Sequence, residues 1–156
     1  MSAAEALASA LAALRRLDDP AVVISTVPPE ALSALAARID EADPATVPLR
    51  GTTFTVKDNI DIEGLVTTAG CPSYGSVAAR SATVVERLVA AGALPVAKTN
   101  LDQFATGLVG TRSPYGTPRN PYDPTLVPGG SSSGSAVSVC LLYTSDAADE
   151  LLCVDL

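Results

Sequence analysis

The chain has 156 residues, 47% of them hydrophobic, and a formal net charge of −7 at pH 7. This length suits a single domain, and the apolar content is sufficient for a hydrophobic core, which excludes a disordered chain. The acidic balance and the lack of any basic block argue against nucleic-acid binding, and no apolar run is long enough to span a membrane.

Histidine is absent from the sequence, and this absence excludes several catalytic arrangements. Neither a Ser-His-Asp triad, a Cys-His dyad nor a histidine-ligated metal can form. The three cysteines, Cys71, Cys140 and Cys153, make neither a CxxC pair nor an even disulfide set, and the N-terminus lacks the basic and apolar parts of a signal peptide. We therefore predict a cytoplasmic protein without a metal or cofactor, in which a reactive serine needs another base.

The N-terminal part of the chain predicts two helices that serve as scaffold. Leucines recur at helical spacing within residues 2–17, which predicts the first helix. The second is predicted over residues 28–43, because proline and glutamate suit its first turn. Between them, residues 21–25 form a short β-branched run that predicts a strand or an extended link.

The next segment predicts a strand over residues 53–56 that ends at Lys57. A lysine after an apolar strand is usually a solvated end. The alternative is a partly buried lysine whose pKa falls by desolvation, so that the amine can act as a general base. In a chain without histidine, a lysine is the natural base for a serine.

Helix and strand then alternate, which indicates an α/β architecture. A helix is predicted over residues 81–91 with Ser81 as its N-terminal cap, followed by a strand over residues 93–97. Pro95 lacks a backbone donor, so we place it at an edge or an irregular position. Lys98 is a second candidate base, although its predicted strand is shorter.

Residues 127–139 read Val-Pro-Gly-Gly-Ser-Ser-Ser-Gly-Ser-Ala-Val-Ser-Val. Glycine and serine in such numbers usually make a flexible linker. This run is short, however, and is flanked by Pro128 and by small apolar residues. It therefore predicts an active-site loop that enters a helix or a buried strand, with Gly129 and Gly130 allowing backbone conformations that a Cβ would forbid.

Four segments stand out in order along the chain: residues 56–60 (Val-Lys-Asp-Asn-Ile), 98–100 (Lys-Thr-Asn), 120–121 (Asn-Pro) and 128–136 (Pro-Gly-Gly-Ser-Ser-Ser-Gly-Ser-Ala). Together they resemble the amidase signature family. Residues 99–116 and the triple serine are similar to the allophanate hydrolase branch of that family. The resemblance spans residues 48–139, and so many motifs in order make a specific signal.

The resemblance implies an α/β fold with a mixed β-sheet flanked by helices, of which residues 1–139 form the N-terminal portion. It also implies a Ser–cis-Ser–Lys mechanism in which Lys57 is the base and Ser131 is the bridging serine after a cis peptide bond. A neutral Lys57 would take a proton through the Ser131 hydroxyl, which both donates and accepts. The residues expected to support the loop or contact the substrate are Gly129, Gly130, Ser132, Ser133, Thr111, Arg112 and Ser113. The side chain of Arg112 either contacts a carboxylate or is solvated.

The sequence departs from the family pattern after residue 139. The family's nucleophilic serine lies in a later glycine-rich segment, whose backbone N–H groups form the oxyanion hole. Residues 140–156 do not resemble that segment; they resemble foreign sequence joined to a truncated gene, such as read-through of a library adaptor, or else a divergent helix. Ser138 and Ser145 could nominally serve as nucleophiles, but neither has glycine-rich surroundings. We therefore expect the chain as written to be inactive.

Three hypotheses of function remain. The first is the N-terminal piece of an allophanate hydrolase, which would hydrolyse the C–N bond of urea-1-carboxylate and release ammonia and CO2. The second is a general amidase or the amidase subunit of a tRNA-dependent amidotransferase, and residues 102–115 favour the first over it. The third is a non-catalytic partial fold or binding module.

The expected partner is a small-molecule amide substrate, with neither nucleic acid nor a membrane, and the full-length parent could be a homodimer. Because the fragment would leave a sheet edge open, we also expect poor solubility or aggregation.

Overall fold

The computed structural model describes residues 1–142 of the chain. Within them, helices and strands follow in the order α1 (Ala3–Arg16), β1 (Val23–Thr26), α2 (Pro29–Glu41), β2 (Thr53–Lys57), β3 (Val66–Thr67), β4 (Ser76–Val77), α3 (Thr83–Ala90), β5 (Leu94–Thr99) and α4 (Ser133–Leu142). Two short 3-10 turns, Pro72–Tyr74 and Gln103–Ala105, lie in the connections. The candidate nucleophile Ser145 and most of the predicted atypical tail, residues 143–156, lie outside the described residues.

The two predicted scaffold helices are confirmed, and they begin where local chemistry favours a helix start. At α1, the Ser2 hydroxyl accepts the Glu5 N–H at 3.1 Å and the Glu5 carboxylate accepts the Ser2 N–H at 2.8 Å, which is a capping box. Asp40, in the last turn of α2, also accepts the N–H groups of Ala3 and Ala4 at 2.7 and 3.0 Å. The end of α2 therefore satisfies free donors at the start of α1.

β5 is the central strand of a mixed three-stranded sheet with the order β1-β5-β2. β1 pairs with it antiparallel and β2 pairs with it parallel. Pro95 therefore does not lie on an edge strand, and that alternative of the prediction was wrong. The other alternative, an irregular position, is confirmed because the β2 register shifts between Phe54 and Thr55, opposite Pro95.

The register decides which face of the sheet each strand-end lysine occupies. Val56 pairs with Lys98, and Lys57 pairs with Thr99. Successive side chains alternate between the faces of a strand, so Lys57 and Thr99 share one face while Lys98 lies on the other. Val56 belongs to the buried core, together with apolar residues of β5, α1, α2 and α3.

The predicted N-terminal cap of α3 was wrong. Ala82 occupies the cap position, and no side chain caps the helix. The Ser81 hydroxyl instead accepts the Glu63 N–H at 2.9 Å, which fixes the connection before α3. A serine two residues before a helix can therefore hold a turn rather than the helix end, and sequence spacing alone does not separate the two.

The serine-rich loop enters a helix, as one alternative of the sequence analysis predicted, and α4 begins at Ser133. Within residues 1–142, β1 and β2 each pair only with β5, so both outer strands keep one unpaired side. Val139 and Leu141 on α4 are also exposed. The expected poor solubility stays a prediction that these open surfaces support. None of the helices in the described part has the length and apolar character needed to cross a bilayer.

Candidate active site

Lys57 and Ser131 meet where β2 ends and the serine-rich loop approaches α4. Lys57 is the last residue of β2, and its Nζ atom donates a hydrogen bond to the Ser131 Oγ atom at 2.7 Å. Both side chains are partly buried. The strand thus presents the amine, and the loop presents the hydroxyl, as the motif resemblance implied.

Partial burial lowers the pKa of the Lys57 ammonium from its ordinary value, because leaving water disfavours the charged form. The negative charge of Asp102 acts in the opposite direction and raises the same pKa, but its effect is the smaller one. At a given pH, a larger fraction of Lys57 is therefore neutral than of a solvated lysine. A neutral amine can accept a proton from the hydroxyl it contacts.

Three serines of the loop and helix each contact a different residue at the end of the sheet. Ser131 contacts Lys57, as described above. The Ser135 hydroxyl lies 2.7 Å from the Thr99 hydroxyl, and the Ser138 hydroxyl lies 3.0 Å from the Thr55 hydroxyl. Ser135 and Ser138 lie three positions apart on one face of α4, and Ser131 lies in the loop just before the helix. The three contacts together form a polar seam between this loop, α4 and the sheet.

This seam decides the role of Ser138, one of the two nominal nucleophiles. Ser138 is fully buried, and besides its contact with Thr55 it donates to the Ser135 carbonyl at 2.9 Å. A hydroxyl held in this way cannot meet a substrate. The Ser138 suggestion was wrong, and the residue fastens α4 to β2.

The backbone of the loop is closely packed where it reaches Ser131. The peptide bond between Gly130 and Ser131 is cis, and Gly129 has a positive φ of 82°. A Cβ on Gly130 would lie 2.2 Å from the Asp102 carboxylate and 2.5 Å from the Gly110 nitrogen. Gly130 is therefore required by close approach, since no other residue fits that space.

The other predicted loop residues occupy different environments. Ser132 is exposed, whereas Ser133 is fully buried and its hydroxyl has no hydrogen-bond partner within residues 1–142. Thr111 and Arg112 are exposed, so their side chains lie toward solvent. The Ser113 hydroxyl donates to the Asn100 side-chain oxygen at 2.6 Å. Only Ser113 of the three loop-wall residues is thus tied to the interior by its side chain.

Two buried residues that sequence reasoning missed organise this loop. Asn100 donates to the carbonyls of Ala21 and Gly116 at 2.8 and 3.0 Å while its oxygen accepts Ser113. Asp102 is fully buried and accepts two backbone N–H groups of the loop that precedes the serine-rich segment. The signal that could have pointed to them was the polar Asn100 and Asp102 directly after a strongly apolar strand.

Lys98, the second candidate base, does not contact Ser131. It is fully buried, its ammonium lies 3.0 Å from the Asp58 carboxylate, and it donates to the Thr67 hydroxyl at 2.8 Å. Asp58 in turn accepts the N–H and the hydroxyl of Thr68. β5 also has six residues against five in β2, so the expectation of a shorter strand was wrong.

A cavity of about 310 Å³ lies beside Lys57, between β2, α3 and the start of α4. Phe54, Ile60, Val84 and Leu88 give it an apolar wall, and Ser132 and Ser135 add hydroxyls. Two cavities of about 410 and 480 Å³ lie elsewhere and include neither Lys57 nor Ser131. Within residues 1–142, no cluster of three or more acidic or cysteine side chains could hold a metal ion.

The sequence profile of a family described as Amidase matches residues 5–144. The chain belongs to the amidase family. The motif resemblance began at residue 48, whereas the family profile already matches from residue 5. The two N-terminal scaffold helices therefore belong to the matched amidase region.

Several proteins that are similar in sequence or structure agree with this assignment. The urea amidolyase of Saccharomyces cerevisiae is 58% identical over 91 residues. A glutamyl-tRNA(Gln) amidotransferase subunit of Symbiobacterium thermophilum is 42% identical over 146 residues, which cover 89% of this chain and 30% of that protein. A solved structure of Kluyveromyces lactis allophanate hydrolase superposes with a TM-score of 0.80 at 44% identity. The predicted α/β amidase fold is therefore confirmed.

This amidase chain spans a small part of those relatives. The match covers 58% of this chain but 5% of the S. cerevisiae protein, and 90% of this chain but 24% of the K. lactis chain. What those whole proteins do is therefore carried to this chain only as a proposal.

Proposed function

We propose that this chain supplies the lysine and the bridging serine of an amidase active site that hydrolyses the C–N bond of allophanate. The observation that carries the proposal is the 2.7 Å hydrogen bond between the Lys57 Nζ and the Ser131 Oγ. The lowered pKa of Lys57 supports its role as the base. The likeness to K. lactis allophanate hydrolase, at 44% identity over 90% of this chain, supports allophanate as the substrate.

The proposed reaction is acyl transfer to a serine. In the family pattern the nucleophile is a serine that follows the signature loop, and its Oγ attacks the amide carbonyl. Its proton passes to the Ser131 oxygen while the Ser131 proton passes to neutral Lys57. The C–N bond then breaks, ammonia leaves with that proton, and water hydrolyses the acyl-enzyme. In this scheme Ser131 gains and loses one proton in each step and is unchanged at the end.

The test uses a joined protein. It consists of residues 1–139 of this chain followed by the part of K. lactis allophanate hydrolase that lies beyond the shared segment. Ammonia release from allophanate is measured for the joined protein and for its Lys57→Ala and Ser131→Ala variants. Each substitution should lower the rate by about 10²–10⁴-fold, the usual contribution of a proton-transfer group.

Ser138→Ala is the matched control, because it removes a serine hydroxyl from the same seam without touching Lys57. Its rate per folded protein should stay within about twofold of the unsubstituted joined protein, since only packing is affected. Full activity of Lys57→Ala would overturn the proposed role of the base. The 156-residue chain is assayed in parallel, and activity there would identify a nucleophile within it.

The second candidate function is the amidase subunit of a tRNA-dependent amidotransferase. It is supported by the 42% identity over 146 residues to a protein of that kind. Ammonia release from glutamine, with none from allophanate, would favour it. Cooperative unfolding without either activity would favour a binding module. A cytoplasmic location and a homodimeric parent stay predictions from the sequence.

A further inference from the structure

Asp102 connects the two loops that surround the Lys57–Ser131 pair. Its carboxylate is fully buried and accepts the Gly110 N–H at 3.0 Å on one oxygen and the Arg112 N–H at 2.7 Å on the other. Its own backbone N–H donates to the Ser131 carbonyl at 3.0 Å. One residue thus holds the loop 106–113 and the residue that contacts Lys57.

The glycines around Asp102 show how tightly this carboxylate is enclosed. A Cβ on Gly130 would lie 2.2 Å from one carboxylate oxygen, and a Cβ on Gly107 would lie 2.2 Å from the carboxylate carbon. Gly130 also donates its N–H to the Leu108 carbonyl at 3.0 Å. Loop 106–113, Asp102 and the Gly130–Ser131 segment therefore pack as one unit, and a change in one member must move the others.

The charge of Asp102 also acts on Lys57. Of the charged groups around Lys57, Asp102 is the one that raises the pKa of its ammonium. The neighbouring Asp58 is ion-paired with Lys98 on the other face of the sheet. The Arg112 guanidinium is exposed, and this residue meets Asp102 through its backbone N–H.

We propose that Asp102 is a positioning residue, which sets the placement of Ser131 against Lys57 through its backbone N–H and through the packing of its carboxylate against Gly130. The proposal rests on the proposed function in so far as the Lys57–Ser131 pair is the proton relay. A merely structural Asp102 would affect the folded fraction alone. A positioning Asp102 also affects the titration of Lys57 and the turnover of the folded protein.

The first measurement is independent of enzymatic activity. Lys57 and Lys98 are the two lysines of the chain, so ¹³C-lysine labelling of the full chain gives two side-chain signals, which Lys57→Arg assigns. Asp102→Asn removes the charge and keeps the side-chain size. The Lys57 titration should then move to lower pH by about 0.5 unit or more, because an effect that raised its pKa is gone.

Asp19→Asn is the matched control for Asp102→Asn. Asp19 is also a buried aspartate, and it likewise accepts two backbone N–H groups, from Ala21 at 3.0 Å and Arg119 at 2.7 Å. It is not among the charges that act on Lys57. Asp19→Asn should lower stability and leave the Lys57 titration in place. Equal behaviour of the two variants would overturn the proposal.

The second measurement is the turnover of the joined protein. Asp102→Asn should lower kcat per folded protein by about 10- to 100-fold with a smaller change in KM. Misplaced reacting groups slow the chemical step more than they weaken substrate binding. Asp19→Asn should keep kcat within about twofold. If the unsubstituted joined protein releases no ammonia, the proposed function fails, while the lysine titration still decides whether Asp102 acts on Lys57. An unchanged kcat in an active Asp102→Asn protein would overturn the positioning role.

Discussion

The two lysines of this chain end neighbouring parallel strands, yet their surroundings have little in common. Lys57 is partly exposed and donates to a serine hydroxyl at 2.7 Å. Lys98 is fully buried and lies 3.0 Å from the Asp58 carboxylate. The difference follows from the pairing of Val56 with Lys98, which places the two amines on opposite faces of the sheet.

The two faces of the sheet give their lysines different kinds of partner. On the α4 face, Lys57 contacts a serine hydroxyl and is partly desolvated, which lowers the pKa of its ammonium. On the other face, Lys98 neutralises a carboxylate that would otherwise be buried and unpaired. A buried ion pair of this kind is costly to break, because removing one partner leaves the other charge without compensation. Lys98 should therefore matter for folding, and Lys57 for reactivity.

The largest expected effect is on the Lys98 side. Lys98→Met leaves the Asp58 carboxylate buried without its cation, and the free energy of unfolding should fall by about 3–5 kcal/mol. Urea denaturation followed by far-UV circular dichroism measures this on the full chain. Lys57→Met, the matched change on the other face, should cost less than about 1 kcal/mol.

A double variant sharpens the same comparison. Asp58→Asn combined with Lys98→Met removes both charges and retains an oxygen that can accept from Thr68. It should recover a large part of the stability that Lys98→Met loses. If the double variant were as unstable as the sum of both single variants, the ion pair would not be the cause.

The next effect concerns the packing of α4 on the Lys57 face. A Cβ on Gly134 would lie 2.4 Å from the Val22 carbonyl oxygen and 2.5 Å from the Asn100 nitrogen, which are backbone atoms. Gly134→Ala should therefore cost about 2–3 kcal/mol, the upper part of the usual overpacking range, because backbone atoms cannot easily move aside. Gly64→Ala is the control: it meets nothing within 4 Å and has a φ of +79°. It should cost only about 1 kcal/mol for that backbone conformation. Equal losses in urea midpoint would contradict this view of the contact.

A smaller effect is expected from the polar seam. Ser135→Ala removes the 2.7 Å contact with the Thr99 hydroxyl, and the loss should be about 1 kcal/mol in the free energy of unfolding. The double-mutant cycle with Thr99→Val isolates the pair, and a coupling energy near zero would show that the two hydroxyls are independent. This contact helps to hold α4 where Ser131 can reach Lys57.

The smallest effect is the pH dependence of stability that Lys57 contributes. Its folded-state pKa is lowered by burial, so between that value and the unfolded-state pKa of about 10.4 the unfolded chain binds more protons. Stability should rise with pH across this window, by less than about 1 kcal/mol because the amine is partly solvated. The difference in urea midpoint between the unsubstituted chain and Lys57→Met measures it. If this difference in midpoint fell as the pH rose, the pKa of Lys57 would be raised in the folded state rather than lowered.

Local pattern and family motifs predicted most of the helices and strands and the contact between Lys57 and Ser131. Short-range signals predicted these features: the leucine spacing of α1, the proline at the start of α2 and the motif around Lys57. The structure contains both helices and the Lys57 contact with Ser131. The glycine and serine run likewise pointed to Ser131, which lies beside Lys57. Each signal is local, whereas the pairing of Ser131 with Lys57, 74 positions apart, came from the family resemblance.

The features that sequence reasoning missed depend on distant residues. The face of Lys98 follows from the register of β2 against β5, and its partner Asp58 lies on a different strand end. Asp102 meets Gly110 and Ser131 only after the chain has folded back on itself. Ser138 was named as a nominal nucleophile, and its burial against Thr55 is visible only in three dimensions. No periodicity in the sequence contains that information.

We infer that Lys57 serves reactivity and Lys98 serves folding, and the rate of ammonia release from allophanate by the joined protein carrying Lys57→Met tests this division of roles. We predict a fall in kcat of about 10²–10⁴-fold, the usual contribution of a general base, with an unfolding midpoint close to that of the unsubstituted joined protein. A Lys57→Met protein that folds and keeps its full rate would contradict the claim.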